Sequence, residues 1–298
     1  MTQRTWTIKE ILNVTAQFLR DKQIESPRLC AEVLLSLQLH KTRVELYLSF
    51  DQPLRDSEVA QYRALVKRRL NREPLQYITG RQEFWSFEFV VNPSVLVPRP
   101  ETEILVEEAL NLKKTNQLPE GSGDQTRILD LGTGCGAIAI SLAKEIEDAR
   151  FWATDISGEA LAVARENAER HAVSGKITFY EGELWQALEQ PAPAFDMIIS
   201  NPPYIASNAF DALPEEVRTY EPRIALDGHE KGMYFIERII ADAENYLNPG
   251  GWLLIEMDPG QTEQAIALIG ARGSLCREER LMDYHKNYRM IKAQKQHG

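Results

Sequence analysis

Four consecutive residues, Asn201-Pro202-Pro203-Tyr204, combine groups that could hold a planar NH2 group. They follow Met197-Ile198-Ile199, an apolar run that predicts a buried strand ended by the two prolines. Ligands of open α/β sheets bind at the carboxyl ends of strands, so this strand would deliver Asn201 into a site. The Asn201 side-chain oxygen and the Pro202 carbonyl could accept both NH2 hydrogens, and Tyr204 could flank the plane. The pattern favours an amide or aromatic amine substrate over a plain proline turn.

A glycine-rich loop, Asp130-Leu-Gly132-Thr133-Gly134-Cys135-Gly136, follows an earlier predicted strand. Glycines let a ligand lie against the backbone, and the next helix would point its first N–H groups at that ligand. The spacing is Gly-x-Gly-x-Gly, not the Gly-x-Gly-x-x-Gly of dinucleotide sites, which weighs against a dinucleotide oxidoreductase. An aspartate suits a nearby ammonium or sulfonium group better than a pyrophosphate. The loop therefore favours a nucleoside that carries a positive amino-acid tail.

Acidic residues follow the next two predicted strands. Asp155 ends the second strand, at about the interval expected for a ribose-binding acid. After the third strand, Glu183 could accept from an adenine amino group and Leu184 could cover the ring, although an ordinary loop acid explains Glu183 almost as well. Together with the glycine loop that begins at Asp130 and with Asn201, Asp155 and Glu183 form an ordered series at four consecutive strand ends, and this series indicates a nucleoside site more specifically than any one member.

The elements that would position these residues alternate between strand and helix from Arg127 onward, which predicts an α/β fold with a mainly parallel sheet. Asn248 to Gly251 is expected to form a turn, and Lys113 to Gln125 a loop. Seven strands are expected near Arg127–Leu131, Arg150–Thr154, Lys176–Tyr180, Asp196–Ser200, Trp252–Glu256, Arg277–Asp283 and Tyr288–Ala293, with helices at Gly136–Glu145, Gly158–His171 and Met233–Leu247.

The first part of the chain has a different pattern. Residues 1–78 are expected to form a small helical domain, in which Ser26-Pro27 marks a helix start with Ser26 as N-cap. The basic cluster Lys67-Arg68-Arg69 with Arg72 is interpreted as a solvated helix face rather than a phosphate-binding surface. Alternating aromatic and β-branched residues predict a β-hairpin linker over 79–98, followed by the catalytic domain over 99–298. The helical domain carries no recognisable chemistry, so partner recognition is its expected role.

Composition excludes several classes of protein. The 298 residues include 43% hydrophobic residues, with no apolar run that approaches the roughly 20 residues of a membrane span, so we expect a cytoplasmic protein without a membrane partner. Three scattered cysteines imply neither a zinc site nor disulfides, and no metal is expected. A net charge of -10 disfavours broad capture of nucleic acid.

These motifs resemble those of class I S-adenosylmethionine methyltransferases of the Asn-Pro-Pro-Tyr type, and more narrowly the bacterial protein-(glutamine-N5) methyltransferases that modify the Gly-Gly-Gln glutamine of peptide-chain release factors. One departure is Asp258, where that family commonly has glycine between Glu256 and Gln261. The resemblance covers essentially the whole chain and includes Pro98-Arg-Pro-Glu-Thr-Glu103, Asp130-Leu-Gly-Thr-Gly134, Gly136-Ala-Ile138, Asn201-Pro-Pro-Tyr204, Tyr220-Glu-Pro222 and Ala225-Leu226.

The resemblance implies a Rossmann-like methyltransferase fold, S-adenosylmethionine as methyl donor, S-adenosylhomocysteine as product and release factors as protein substrates. It implies that Arg99 and Glu101 join the Asn-Pro-Pro-Tyr residues in the substrate site. It also implies a cofactor site that comprises Asp130, Gly132, Thr133, Gly134, Cys135, Gly136, Asp155, Glu183, Leu184 and Asn201.

Two alternatives stay open at this point, and a monomer is the default expectation. An N6-adenine nucleic-acid methyltransferase could use the same Asn-Pro-Pro-Tyr motif, since adenine N6 is also a planar amine. A non-catalytic S-adenosylmethionine-binding module is the other, although such a protein would have no use for an intact Asn-Pro-Pro-Tyr.

Overall fold

The computed structural model describes residues 5–119 and 125–297, which form two compact units. The first unit is the chain up to Gly80 together with Pro214–Tyr220, and the second is Arg81–Leu213 together with the chain from Glu221 onward. Part of the loop predicted over Lys113 to Gln125, residues 120–124, lies outside the described residues.

The helices of the described chain are α1 (Ile8–Asp21), α2 (Pro27–Leu39), α3 (Arg43–Leu48), α4 (Asp56–Leu70), α5 (Leu75–Thr79), α6 (Glu103–Lys114), α7 (Ala137–Glu145), α8 (Gly158–Arg170), α9 (Glu215–Tyr220), α10 (Tyr234–Tyr246) and α11 (Thr262–Arg272). The strands are β1 (Arg81–Phe84), β2 (Phe87–Val90), β3 (Thr126–Leu131), β4 (Ala149–Asp155), β5 (Ile177–Glu181), β6 (Phe195–Ser200), β7 (Leu247–Glu256), β8 (Leu275–Met282) and β9 (Tyr288–Lys295).

The first unit is a helical bundle around one apolar cluster. The stripe on α1 that includes Ile8, Leu12 and Leu19 is fully buried in this cluster, as its helical spacing requires. Helix α2 begins at Pro27 with Ser26 in the N-cap position, as predicted, but the Ser26 side chain does not cap the helix. Ser26 is in the left-handed region with φ +46°, and its side chain makes no capping hydrogen bond.

Arg69 on α4 contradicts the prediction of a fully solvated basic face. Its side chain is only 4% exposed, donates from Nη2 to Glu216 Oε1 at 2.6 Å and donates from Nη1 to the Glu73 carbonyl at 3.0 Å. The carboxylate partner comes from α9, far along the chain, so local charge patterning could not reveal it. Arg68, by contrast, pairs with Glu73 at 2.5 Å and is 44% exposed.

The second unit contains the antiparallel hairpin of β1 and β2 and a seven-stranded sheet in the order β5-β4-β3-β6-β7-β9-β8. The first five of these strands are parallel, and β9 runs antiparallel to both β7 and β8. This confirms the predicted α/β class and all seven strands. Asn248 to Gly251, predicted as a turn that feeds β7, falls within the bounds of that strand but has no partners among the described residues of β6, because Phe195 pairs with Leu247 and Met197 with Trp252. Helix α11, between β7 and β8, is not among the three helices whose bounds were predicted.

The register of the central strands brings the motif residues to one edge. Leu131 pairs with Thr154 on one side and with Ser200 on the other, so the glycine loop, Asp155 and Asn201 all begin at the carboxyl edge of the sheet. Ser200 also pairs with Ile255, which places Glu256 at the same edge, one strand from Asn201. All six residues of β6 are buried, as expected for a central strand of a parallel sheet that is covered on both faces.

Candidate active site

A cleft opens in the second unit at the carboxyl ends of β3, β4, β5 and β6. Among the described residues, its lining does not include four predicted site residues: Asp130, Gly136, Glu101 and Tyr204. The predicted site residues that do line it are Arg99, Gly132, Thr133, Gly134, Cys135, Asp155, Glu183, Leu184, Asn201, Pro202 and Pro203. The structure thus brings most of the predicted cofactor and substrate residues into one space.

The glycine loop presents bare backbone to this cleft. Gly132 and Gly134 have φ values of +74° and +57°, which glycine adopts without strain, and a Cβ on either would meet no atom within 4 Å. Gly136 is different, because a Cβ there would lie 2.7 Å from Cδ1 of Ile140 on α7. Gly132 and Gly134 therefore keep the loop open to a ligand, while Gly136, with φ +86°, leaves room for the Ile140 side chain of the helix that it begins.

Asp130 lies beneath the loop rather than in the cleft wall. Its Oδ2 accepts from Thr133 Oγ1 at 2.7 Å and from the Ala139 backbone N–H at 3.2 Å. Its Oδ1 is buried without a hydrogen-bond partner among the described residues. Burial raises the pKa of Asp130 to about 7, which the two hydrogen bonds only partly oppose. Asp130 braces the loop and keeps one acceptor oxygen unused.

Asp155, at the end of β4, holds the other side of the loop. Its Oδ2 accepts from the Gly134 backbone N–H at 2.8 Å, and its Oδ1 accepts from the Ser157 N–H at 2.9 Å. Burial raises its pKa, while these backbone hydrogen bonds favour the charged form. Each carboxylate oxygen has a second lone pair, so the fixed carboxylate can still accept ribose hydroxyls.

Glu183 and Leu184 follow β5. The Glu183 Oε1 accepts from Arg238 Nη1 on α10 at 2.7 Å, and Arg238 also donates to the Tyr234 hydroxyl at 3.1 Å. Leu184 is buried in the lining with φ +47°. The ion pair holds Glu183 in one place and leaves its Oε2 as the oxygen available to a ligand. Arg238 has no sequence motif around it and was not foreseen.

Asn201 is held by a residue from the Pro-Arg-Pro-Glu-Thr-Glu motif. Its Nδ2 donates to Thr102 Oγ1 at 3.1 Å, so its Oδ1 is the atom left for a ligand in the cleft. The Tyr204 hydroxyl donates to Glu256 Oε1 at 3.3 Å, and the Tyr204 carbonyl accepts from Gln261 Nε2 at 2.9 Å. The Tyr204 hydroxyl and carbonyl are therefore both occupied by hydrogen bonds, to Glu256 and Gln261.

Arg99 is paired within the protein. Its Nη2 donates to Glu221 Oε1 at 2.5 Å, and Glu221 Oε2 also accepts from the Val97 N–H at 3.3 Å. This buried glutamate belongs to the Tyr220-Glu-Pro222 motif, whose residues have no role that is evident from sequence alone. Arg99 still lines the cleft, at one third exposure of its side chain.

Asn167 on α8 joins the hairpin to the glycine loop, and no sequence motif predicts this role. The side chain is fully buried. Its Oδ1 accepts from the Val90 N–H at 2.8 Å, and its Nδ2 donates to the carbonyls of Val90 at 3.0 Å and Cys135 at 2.9 Å. A single side chain thus satisfies both backbone groups of Val90 and orients the Cys135 peptide.

Comparison with known proteins shows to which family this chain belongs. A family model described as the PrmC N-terminal domain matches residues 10–80, and one described as the methyltransferase small domain matches residues 107–216. The chain is 46% identical over 268 residues to the release factor glutamine methyltransferase of Geobacter sulfurreducens, covering 90% of each protein. The chain belongs to the release factor glutamine methyltransferase family. A second relative with that name, from Chlorobaculum tepidum, is 39% identical and is covered over 96% of its length.

More distant structures share the fold of this glutamine methyltransferase family member. The N-terminal domain of human METTL16, solved in complex with SAH, aligns with a TM-score of 0.53 at 16% identity, over 82% of this chain and 84% of that one. This likeness confirms the class I methyltransferase fold. Within the described residues, the helices are too short or too polar to cross a membrane.

S-adenosylmethionine is the cofactor of this methyltransferase family, and the cleft fits it. The open backbone at Gly132 and Gly134 and the fixed Asp155 carboxylate suit a ligand with a ribose, and the negative charge of Asp155, with Asp130 beneath the loop, suits a cationic tail. Bringing positive charge close to these carboxyls would also lower their raised pKa values.

Proposed function

We propose that the chain transfers a methyl group from S-adenosylmethionine to the side-chain amide nitrogen of the glutamine in the Gly-Gly-Gln motif of peptide-chain release factors. The names of its relatives support this substrate. The observation that carries the proposal is the tethering of Asn201 Nδ2 to Thr102, which leaves an amide oxygen in the cleft beside the Pro202 backbone. This pair of acceptors matches the two hydrogens of a primary amide.

The reaction needs a poor nucleophile to be oriented. An amide nitrogen shares its lone pair with the carbonyl, a resonance that also underlies the roughly 18–20 kcal/mol rotation barrier of the peptide bond. Bound S-adenosylmethionine supplies an electrophilic methyl group on a sulfonium. Asn201 Oδ1 and the Pro202 carbonyl hold the NH2 hydrogens, turn the nitrogen toward that methyl and stabilise the positive charge that develops on nitrogen.

The remaining site residues divide into a cofactor wall and a substrate wall. In the cofactor wall, Asp155 binds the ribose hydroxyls, Glu183 and Leu184 bind the adenine, and Asp130 acts through the loop that it braces. Among the substrate residues, Pro203 keeps the backbone rigid and Tyr204 anchors the motif through its hydroxyl. Arg99, fixed by Glu221, and the nearby Glu101 orient the glutamine-bearing segment. The cofactor loop itself consists of Gly132, Thr133, Gly134, Cys135 and Gly136.

The helical first unit is proposed to recognise the body of the release factor, as a monomer acting in the cytoplasm where translation terminates. Complementary shape and charge would set the specificity of that contact. The net charge of -10 supports a protein substrate rather than stable binding of nucleic acid.

Intact and peptide mass spectrometry of an unmodified release factor, incubated with the protein and S-adenosylmethionine, tests the function. We expect one added methyl on the Gly-Gly-Gln glutamine with the wild type and none with Asn201→Ala. An active, cofactor-binding preparation that leaves the glutamine unmodified would refute the substrate. Methylation of adenine in a parallel nucleic-acid assay would then identify the alternative.

A further inference from the structure

Gln261, which follows β7, makes side-chain hydrogen bonds to three separate stretches of backbone in the second unit. Its Nε2 donates to the Tyr204 carbonyl at 2.9 Å and to the Lys231 carbonyl at 3.4 Å. Its Oε1 accepts from the Asp258 N–H at 3.0 Å. A carbonyl can only accept and a backbone N–H can only donate, so these partners fix which end of the amide faces Tyr204. Gln261 therefore joins the end of the Asn-Pro-Pro-Tyr motif to the turn after β7 and to the loop before α10.

The turn that carries Gln261 accommodates an aspartate where the family commonly has glycine. Asp258 has φ −67°, a value that any residue adopts, so glycine is not required there. The Asp258 Oδ1 accepts from the Gly260 N–H at 2.9 Å, while its own N–H donates to Gln261. Aspartate at this position therefore keeps the backbone that holds Gln261 and adds a hydrogen bond that glycine could not make.

Two glycines bring the loop before α10 against the last two carbonyls of the motif. A Cβ at Gly232, which has φ +72°, would lie 2.2 Å from the Tyr204 oxygen and 2.5 Å from Gln261 Nε2. A Cβ at Gly228 would lie 2.8 Å from the Pro203 oxygen. A side chain at either glycine would have to displace these atoms, so the hydrogen bond from Gln261 to Tyr204 lies in a closely packed space.

The Asn-Pro-Pro-Tyr segment needs an anchor of this kind because its two prolines have no N–H group. Pro202 and Pro203 offer only carbonyls, so their own backbone cannot donate to the surroundings. The segment is held at its start by β6, which pairs with β3 and β7, and at its end by the hydrogen bond from Gln261 to Tyr204. Between these anchors lie Asn201 and two residues of fixed φ, which leaves the Pro202 carbonyl little freedom once both ends are held.

We propose that Gln261 is a positioning residue that, by holding the Tyr204 carbonyl, keeps the Pro202 carbonyl aimed at the NH2 group of the substrate glutamine. The inference rests on the proposed function, which makes the Pro202 carbonyl an acceptor for that group. In the described part of the chain, the cleft lining contains neither Tyr204 nor Gln261, so Gln261 acts through the backbone. Without its N–H donor, the end of the motif loses an anchor and the NH2 group is oriented by Asn201 alone.

The test measures single-turnover methylation of a release factor by the full chain, with release factor and S-adenosylmethionine both saturating. Gln261→Glu keeps an acceptor for the Asp258 N–H but sets a carboxylate against the Tyr204 carbonyl, and Gln261→Met removes the hydrogen bonds at similar size. We expect each variant to lower the rate roughly tenfold, equivalent to about 1.4 kcal/mol. Gln264→Glu and Gln264→Met are the matched controls at an exposed position of α11, and they should keep the wild-type rate.

A second pair of variants tests the same contact from the opposite side. Gly232→Ala pushes a methyl group into the hydrogen bond between Gln261 and Tyr204. Gly273→Ala carries nearly the same backbone strain, at φ +70°, but its methyl group would meet no atom within 4 Å. We expect Gly232→Ala to lower the rate about as much as Gln261→Met does, and Gly273→Ala to keep the rate.

Calorimetric affinity for S-adenosylmethionine separates positioning from a general loss of structure. It should be unchanged in the Gln261 variants, because the contacts of Gln261 lie outside the described cleft lining that would hold the cofactor. The loss of rate should persist at saturating release factor, since the substrate is then bound but its NH2 group is misdirected.

The inference is overturned if Gln261→Glu or Gln261→Met, with normal cofactor affinity, transfers methyl at the wild-type rate. It is also overturned if cofactor binding is lost with the rate, or if the loss disappears at saturating release factor, since Gln261 would then serve general structure or docking. Where Gly232→Ala does not fold, the Gln261 variants decide the matter. A wild-type protein that leaves the glutamine unmodified would instead refute the proposed function.

Discussion

Replacing Asn167 by alanine should destabilise the second unit, because this side chain makes three buried hydrogen bonds at once. At about 1 kcal/mol each, their loss amounts to about 3 kcal/mol. Without Asn167, the buried Cys135 carbonyl loses its hydrogen-bond donor, which destabilises the fold further. Alanine has a higher helix propensity than asparagine, which recovers about 0.5 kcal/mol of stability in helix α8. The net expectation is about 3 kcal/mol, or a melting temperature lowered by roughly 6–12 °C.

Thermal unfolding followed by circular dichroism measures this change. Asn111→Ala is the matched control, because Asn111 is an exposed asparagine in helix α6 and should lower the melting temperature little. Asn167→Asp keeps the acceptor for the Val90 N–H but sets a carboxylate against two carbonyls, so it should be at least as destabilising as alanine. Equal melting temperatures for Asn167→Ala and Asn111→Ala would refute the reasoning.

Four further outcomes are expected. Asn201→Asp removes the N–H that Thr102 accepts and should lower the methylation rate at least tenfold, about 1.4 kcal/mol, in single-turnover assays; near-normal turnover would contradict the role of Asn201. Asp155→Ala should weaken S-adenosylmethionine binding about tenfold by calorimetry, and an unchanged affinity would exclude Asp155 from the ribose site. Burial raises the pKa of Asp130 to about 7, so the folded state keeps a proton that the unfolded state loses above about pH 4. The free energy of unfolding should therefore fall as the pH rises from about 4 to 7. In urea unfolding measured across this pH range, Asp130→Asn should make that fall smaller. Arg69→Met should leave the Glu216 carboxylate without its partner and destabilise the first unit by about 3 kcal/mol in urea unfolding, whereas no change in midpoint would show that the pair contributes nothing.

Much of the fold was predictable because it follows from local patterns. The apolar runs of β3 and β6 and the proline and glycine residues that end them predict strands whose bounds agree with the structure to within one or two residues. Helix α11 could have been predicted in the same way, since Glu263 lies in its first turn, Arg272 in its last turn and Gly273 at its C-cap. The extension of β7 to Leu247, by contrast, could not be predicted, since it depends on the pairing of Leu247 with Phe195 beyond the unpaired Asn-Pro-Gly-Gly segment.

The site residues that could be predicted are those that belong to a sequence motif and also line the cleft, such as Gly134, Asp155 and Asn201. Residues that act from behind the cleft carry no such signal. Asn167 and Arg238 come from the middle of amphipathic helices, and their roles exist only once distant strands are paired. Glu221 satisfies Arg99 from 122 positions away, a distance at which no local pattern operates.

The membership of α9 in the first unit has a consequence for how this protein could be divided. Seven residues from the middle of the chain, Pro214–Tyr220, complete a unit whose other residues end at Gly80. A single cut after Gly80 would not release that unit cleanly, since α9 would stay packed in it through Glu216 and Arg69 while belonging covalently to the other fragment. For the same reason, exchange of the first 80 residues between relatives by one recombination event would separate Arg69 from its own Glu216. The two partners therefore have to be inherited together, although they are encoded far apart.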